Sequence, residues 1–304
     1  MLTVAVSSRS LFHMEDGNQI FIEKGQKAFN DYMRDKENVV LRPGPAFSLV
    51  KKLLALNSHV RDVHTKGVEV VLLSRNSPDA GMRVMNSIKH YSLDIERAVF
   101  SQGADRFRYA KALGAHLFLS TTHSDVQNAI AHGIAAATLL PSEREMEDGD
   151  GIVRIALDGD AVIFSAEADE CYQKHGLEVF RESETANAHI PLGAGPFKEF
   201  LVGLQALQRS FPVGEAPVKI ALVTARGMPA HERVIHTLRH WGIVLDEAFF
   251  AAGLSKGPLL EAFGADMFFD DTEKNIASAR SCNVVSGHVP FGNGQGIVQE
   301  AIAA

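Results

Sequence analysis

The stretch RIALDGDAVIF, residues 154–164, decides the fold of this chain. Its apolar residues 155–157 predict a buried strand, and the strand ends abruptly at two aspartates, Asp158 and Asp160, separated by one glycine. Burial and mutual repulsion both destabilise carboxylates at the end of a core strand, so a chemical role would explain their position. A simple turn is the alternative, because Asp and Gly both favour turns.

The composition indicates a soluble globular protein with no nucleic-acid or membrane partner. The 304 residues suffice for two domains, 46% of them are hydrophobic, and the net charge is -7. The two cysteines predict no disulfide framework and a reducing compartment. The first residues lack the basic region of a signal peptide, and no apolar run is long enough to span a bilayer. We therefore expect a cytoplasmic location; assembly into a homo-oligomer is left open.

The chain contains an internal repeat with a period of about 150 residues. The segment RVMNSIKHYSLDIERAVFSQG (83–103) matches RVIHTLRHWGIVLDEAFFAAG (233–253), and KALGAHLFLST (111–121) matches EAFGADMFFDD (261–271). Two similar halves are predicted: a degenerate, non-catalytic α/β copy at 1–141, an acidic linker at 142–151, and a catalytic α/β unit at 152–304.

Each half alternates short apolar strands with amphipathic helices, which predicts an α/β fold with a parallel sheet covered by helices. The predicted second-half strands lie near residues 153–157, 219–223, 247–251, 267–269 and 283–286. Helical periodicity fits residues 230–241 and 258–263. A mostly helical insertion at about 165–217 is long enough to form a cap over the sheet.

Several polar residues follow the predicted strands of the second half. Besides Asp158 and Asp160, they are Thr224 after the second strand, Lys256 in the loop after the third, and Asp270 and Asp271 after the fourth. Ligands of open parallel sheets bind beyond the carboxyl ends of the strands, so these side chains should converge. Four carboxylates at one place need a cation, and Mg²⁺ suits oxygen ligands that also bind phosphate.

These motifs resemble those of the haloacid dehalogenase-like phosphohydrolases: DGDAV, LVTAR, an isolated lysine and MFFDD, in the family's order. Nearly the whole chain resembles the cytosolic type I 5'-nucleotidases through VSSRSLF, LLSRNSPD, DGDAV, NAHIPL, LVTARGMPAHERVI and GHVPFG. The resemblance implies a Rossmann-like sheet with a helical cap and Mg²⁺-dependent hydrolysis of nucleoside 5'-monophosphates. Two alternatives stay open: a phosphatase of another small ester, such as a sugar phosphate, and a non-catalytic nucleotide sensor.

The resemblance also implies residue roles that fit the chemistry of each side chain. Asp158 would be the nucleophile that forms an aspartyl-phosphate, and Asp160 would be the general acid and base. If the strand pattern persists, Asp160 lies on the same side as Asp158. Thr224 would donate a hydrogen bond to the phosphoryl group, and Lys256 would offset negative charge.

The implied metal ligands are Asp158, the backbone carbonyl of Asp160, and Asp270. Asp271 would support Mg²⁺ directly or through water. Asp271 could instead cap the helix predicted for the following TEKNIASA segment.

Candidate substrate-binding residues lie in LVTAR and in the insertion. They are Arg226, Asn187 and His189, of which the last two could contact base or ribose, and Phe180 and Phe197, which could stack on the base. The alternative for the two aromatic rings is the core of the cap.

The first half lacks every carboxylate of the predicted metal site. At the matching positions it has hydroxyl and guanidinium groups: Ser7, Arg9, Ser74, Arg106, Ser120 and Thr121. We therefore expect no Mg²⁺ and no catalysis there. Arg9, Arg75 and Arg106 could form a metal-free anion site, for instance for a regulatory nucleotide. Salt bridges between the halves are the favoured alternative.

Overall fold

The computed structural model describes residues 1–60, 66–140, 150–212 and 214–292; most of the predicted linker at 142–151 lies outside these ranges. The first half contains the strands β1 (Leu2–Val6), β2 (Val68–Ser74), β3 (Arg97–Phe100), β4 (Leu117–Ser120) and β5 (Ala135–Leu139). Its helices are α1 (Ser8–Leu11), α2 (Glu15–Asp35), α3 (Phe47–Ala55), α4 (Pro78–His90), α5 (Phe107–Ala112) and α6 (His123–Ala131).

The second half contains the strands β6 (Val153–Leu157), β7 (Val218–Thr224), β8 (Glu247–Phe250), β9 (Met267–Asp270) and β10 (Ser286–His288). Its helices are α7 (Glu167–Ala186), α8 (Lys198–Gln208), α9 (His231–His240), α10 (Gly257–Phe263) and α11 (Glu273–Ser281). The strand predicted at 283–286 begins later than expected. Asn283 has a φ of 57° and forms part of the turn that ends α11, so pairing starts at Ser286.

The strands form one ten-stranded sheet in the order β3-β2-β1-β4-β5-β10-β9-β6-β7-β8. Within each half all paired strands are parallel, whereas β5 and β10 pair antiparallel. The predicted α/β class with a mostly parallel sheet is confirmed. The two halves have the same strand order, but their origin by internal duplication and their division into separate units stay predictions.

Helices of each half pack against the other half. Lys52 of α3 forms an ion pair of 2.7 Å with Asp266, whose other oxygen accepts a hydrogen bond from the amide of Arg154. On α8, a Cβ atom at Gly203 would lie 2.9 Å from the side chain of Leu2. α8 packs against one face of the sheet, in contact with β1 and β5. α7 is the part of the insertion that reaches the strand ends, where Glu184 and Asp160 share Arg226.

The carboxyl ends of both sets of parallel strands meet where β5 and β10 overlap. The sheet register pairs Ser120 with Thr138, Thr138 with His288, and His288 with Asp270. Paired residues project from the same face of a sheet, so these four side chains form a row. With strands ~4.8 Å apart, Ser120 and Asp270 are about 14 Å from each other. Within the described ranges, every helix is too short or too polar to span a bilayer.

Candidate active site

Lys256 lies at the centre of the polar cluster at the second-half strand ends. Its Nζ is 2.7 Å from Asp158 Oδ1 and 2.7 Å from Asp270 Oδ2, and the residue is 1% exposed. It immediately precedes α10, whose first residue, Gly257, approaches α11 closely: a Cβ there would lie 2.6 Å from the Ser278 carbonyl oxygen. Glycine is therefore required for the helix contact that holds Lys256 in place.

Asp270, at the end of β9, is completely buried and held by several donors. Its Oδ1 accepts a hydrogen bond from the Thr272 amide at 2.8 Å, and Asn275 Nδ2 lies 3.1 Å from both carboxylate oxygens. The residue that caps α11 is Thr272, so the structure does not support a capping role for Asp271.

Three buried carboxylates surround this position. Asp158, Asp270 and Asp271 each offer an oxygen atom, and these atoms all lie within 4.8 Å of one another. Burial, and then repulsion by Asp270, raises the pKa of Asp158 well above its ordinary value, although Lys256 opposes the shift. Burial, with repulsion by Asp270 and Asp169, raises the pKa of Asp271 to about 8.

Such a cluster is stable when it binds protons or a cation. Lys256 supplies one positive charge: burial lowers its pKa, but the carboxylates of Asp158 and Asp270 outweigh burial and raise it. One ammonium does not neutralise three carboxylates. An all-oxygen donor set of this kind fits a hard divalent cation such as Mg²⁺.

Asp160 faces a different partner. The strand ends at Leu157, and residues 159–163 form a turn in which Ala161 has a φ of 59°, so the strand pattern does not persist as expected. Both oxygens of the Asp160 carboxylate accept hydrogen bonds from Arg226, at 2.7 and 2.6 Å. A metal contact of the Asp160 backbone carbonyl stays a prediction.

Thr224 lies beside these groups at the end of β7. Its hydroxyl accepts a hydrogen bond of 3.2 Å from the Arg226 amide, and a Cβ at Gly159 would lie 3.3 Å from the same oxygen. The structure thus brings together five of the predicted site residues, at the ends of β6, β7 and β9 and just before α10: Asp158, Thr224, Lys256, Asp270 and Asp271.

A buried chain of ion pairs connects Asp160 to the cap helix α7. Arg226 also pairs with Glu184, which lies 2.8 Å from Arg233 NH1, and Arg233 NH2 lies 2.9 Å from Glu167. The guanidinium of Arg226 stacks on the Phe180 ring, 5.6 Å from its centroid. These contacts hold α7 over the strand ends.

Three acidic residues of α7 lie near the site and were not predicted from the sequence: Glu167, Asp169 and Glu184. Burial, and then repulsion by Asp160, raises the pKa of Asp169 to about 6, although Arg226 opposes the shift. Glu184 lies four residues after Phe180 and is buried on the same helix face. The position of Glu184 on the apolar face of the helix could have indicated a buried, positively charged partner.

Three other predicted substrate-binding residues, Asn187, His189 and Phe197, make contacts with other protein side chains or backbone. Asn187 Nδ2 donates a hydrogen bond of 2.9 Å to the Ser183 carbonyl at the end of α7, and His189 stacks on His236 at 4.6 Å. The structure does not favour the base-stacking role predicted for Phe197. The residue is 0% exposed, and the centroid of its ring lies 4.9 Å from that of Phe269 in the hydrophobic core.

The first-half arginines pair mainly within their own half. Arg106 NH2 lies 2.5 Å from Asp125 Oδ2, and Arg75 NH1 lies 3.6 Å from Asp125 Oδ1. Arg9 makes no ion pair or side-chain hydrogen bond with the described residues. Salt bridges between the halves therefore do not explain these three residues.

Comparisons with known proteins match nearly the whole chain. A family model described as 5'-nucleotidase matches residues 1–296. A human protein named cytosolic 5'-nucleotidase 1B is 37% identical over 295 residues, which is 94% of this chain and 48% of that protein. The chain therefore spans about half the length of this curated relative. No solved structure is significantly similar.

Proposed function

We propose that this chain, which belongs to the 5'-nucleotidase family, is a Mg²⁺-dependent hydrolase of nucleoside 5'-monophosphates. The observation that carries the proposal is the buried contact of Lys256 with Asp158 and Asp270 beside Asp271. This arrangement combines a nucleophile, a fixed positive charge and a set of oxygen ligands at one place. The name of the human relative also supports a cytoplasmic location.

Asp158 is the proposed nucleophile. Its Oδ1 accepts a 2.7 Å hydrogen bond from the Gly159 amide and contacts Lys256, whereas Oδ2 accepts no hydrogen bond within the described ranges. The fixed Oδ1 orients Oδ2, which attacks phosphorus while the bond to the nucleoside oxygen breaks, giving an aspartyl-phosphate. Mg²⁺ held by Asp158, Asp270 and Asp271 would supply a Lewis acid that offsets charge on the phosphoryl oxygens.

Asp160 is the proposed proton carrier. It gives a proton to the departing nucleoside oxygen and then takes one from the water that hydrolyses the aspartyl-phosphate, which regenerates Asp158. Because Arg226 occupies both oxygens of Asp160, this contact has to loosen before the proton can move. Glu184 is placed to keep Arg226 when Asp160 releases it.

The experiment is a phosphate-release assay over a panel of nucleoside and sugar monophosphates, with Mg²⁺ and with chelator. We expect nucleotides to react fastest, and only with Mg²⁺. Similar rates on sugar phosphates would remove the nucleotide assignment. Asp158→Asn tests the sensor alternative, since a catalyst loses phosphate release whereas a sensor keeps its ligand response; exposed Asp94→Asn is the matched control.

A further inference from the structure

Unpartnered polar atoms concentrate at the strand ends of the first half and at the adjoining end of β10. Among the described residues, eight have a buried side-chain nitrogen or oxygen without a hydrogen-bond partner. Six of them lie at or just after the ends of β2, β4, β5 and β10, or at the starts of α5 and α6: Asn76, Arg106, Thr121, His123, Thr138 and His288. Buried polar groups in folded proteins are almost always hydrogen-bonded, so this concentration indicates a polar occupant.

The chemistry of this region favours an anion. In the second half, Lys256 faces three carboxylates; at the matching first-half positions, Arg106 is accompanied by the hydroxyl groups of Ser120 and Thr121. Hydroxyl and guanidinium groups donate hydrogen bonds to an oxyanion, whereas they offer a metal ion little. The loss of carboxylates thus replaces a cation site with potential anion donors.

Arg106 is the strongest of these donors. It is 3% exposed, and Asp125 contacts its NH2 end while its Nε lacks a partner within the described chain. Arg75 approaches the same carboxylate at 3.6 Å. The Asp125 carboxylate is therefore shared by two guanidinium groups, and Arg106 also lies near the charge of Asp105. Arg106 Nε remains a donor without a partner among the described residues.

The region is separate from the candidate active site. Ser120 and Asp270 lie at the two ends of the row and are about 14 Å apart, with Thr138 and His288 between them. His288 links the two regions: its Nε2 lies 2.9 Å from the Asp271 carbonyl oxygen, and its ring stacks on that of His123 at 6.0 Å.

We propose that the strand ends of the first half form a second, metal-free binding site for a phosphate-type oxyanion. Arg106 and Arg75 supply the charge, and Thr121 and Asn76 supply further donors. The site binds without turnover, because Ser7 stands where the second half has the nucleophilic aspartate. This inference does not depend on which ester the second half hydrolyses.

The test is calorimetric titration of the full chain with inorganic phosphate in the presence of chelator. Without a divalent cation the second half has no metal to hold phosphate, and Lys256 is already paired with Asp158 and Asp270, so binding reports the first half. We expect saturable binding that weakens at least about tenfold in Arg106→Gln, because hydrogen bonds to charged groups are strong. Lys256→Gln, the same change at the matching position, should keep the binding.

Two further variants protect the test against misfolding, since Arg106 is buried beside Asp125. Arg75→Gln changes a side chain that is 55% exposed, and Thr121→Val removes an unpartnered hydroxyl. Both should weaken phosphate binding severalfold while circular dichroism stays native. The proposal is overturned if phosphate does not bind in chelator, if Arg75→Gln and Thr121→Val bind normally, or if Lys256→Gln abolishes binding while its circular dichroism stays native.

Discussion

Replacement of Asp271 by Asn should change how stability depends on pH in the absence of metal. The pKa of Asp271 is raised from 3.8 to about 8, which means that ionisation of this carboxyl penalises the folded state. The penalty is absent below pH 4 and grows until the pH reaches the folded pKa. The metal-free wild type therefore loses stability as the pH rises from 4 to 8, and Asp271→Asn avoids this loss.

The size of the stability difference between the two proteins follows from the raised pKa of Asp271. Each pH unit between the two pKa values costs about 1.4 kcal/mol, so the variant should gain ~2 kcal/mol on the wild type between pH 6 and 8. For a chain of this size that difference corresponds to roughly 4 °C in Tm. The lowered pKa values of His116, His123 and His288 affect both proteins alike and cancel in the difference.

The assay is urea unfolding of both proteins at several pH values, first in chelator and then with Mg²⁺. Because Mg²⁺ favours the ionised carboxylate, it should stabilise the wild type more at pH 8 than at pH 6, and it should stabilise the variant less. Parallel stability profiles of the two proteins in chelator would show that Asp271 is ionised in the folded protein at pH 6. The raised pKa of Asp271 would then be refuted.

Three other substitutions test separate parts of the structure. Glu184→Gln removes a carboxylate shared by Arg226 and Arg233, so unfolding should become easier by about 3 kcal/mol. The pH profile of kcat should also shift, which a purely structural residue would not cause. Phe197→Ala should cost about 3–5 kcal/mol in urea unfolding without a change in KM, whereas a raised KM at unchanged stability would restore its base-stacking role. Gly257→Ala forces a Cβ against backbone 2.6 Å away and should cost about 1–3 kcal/mol, with kcat lowered because Lys256 moves; wild-type kcat would contradict this.

The sequence was sufficient to predict the sheet and the convergence of Asp158, Asp270 and Lys256. Strand and helix periodicities differ clearly, and parallel strands end at one edge, so residues that follow different strands must meet. Local pattern and general topology are enough for this kind of prediction.

The strand pairing that joins the two halves could not be predicted from the sequence. The antiparallel contact of β5 with β10 involves two residues on each strand, Thr138 and Leu139 with Gly287 and His288, too few to leave a recognisable pattern. The packing of α8 against the first half was missed for a similar reason, because an apolar helix face does not specify which surface covers it.

The position of Asp160 and its ion pairs also depended on three-dimensional contacts. The turn after Leu157 requires Ala161 at a positive φ, a conformation for which alanine gives no signal. The pairing of Arg226 with Asp160 and Glu184 joins side chains 66 and 42 residues apart. Such partners become visible only when the fold has placed their backbones.

The most direct test of the central claim is detection of phosphate on Asp158. Wild type and Asp160→Asn would be mixed with a nucleoside monophosphate and Mg²⁺, quenched in acid, and analysed by peptide mass spectrometry. We expect a phosphorylated peptide that contains Asp158 in the wild type. In Asp160→Asn, which lacks the proton carrier of both steps, we expect this peptide to form more slowly. Hydrolysis that proceeds at full rate in Asp158→Asn, or phosphate found on another residue, would contradict it.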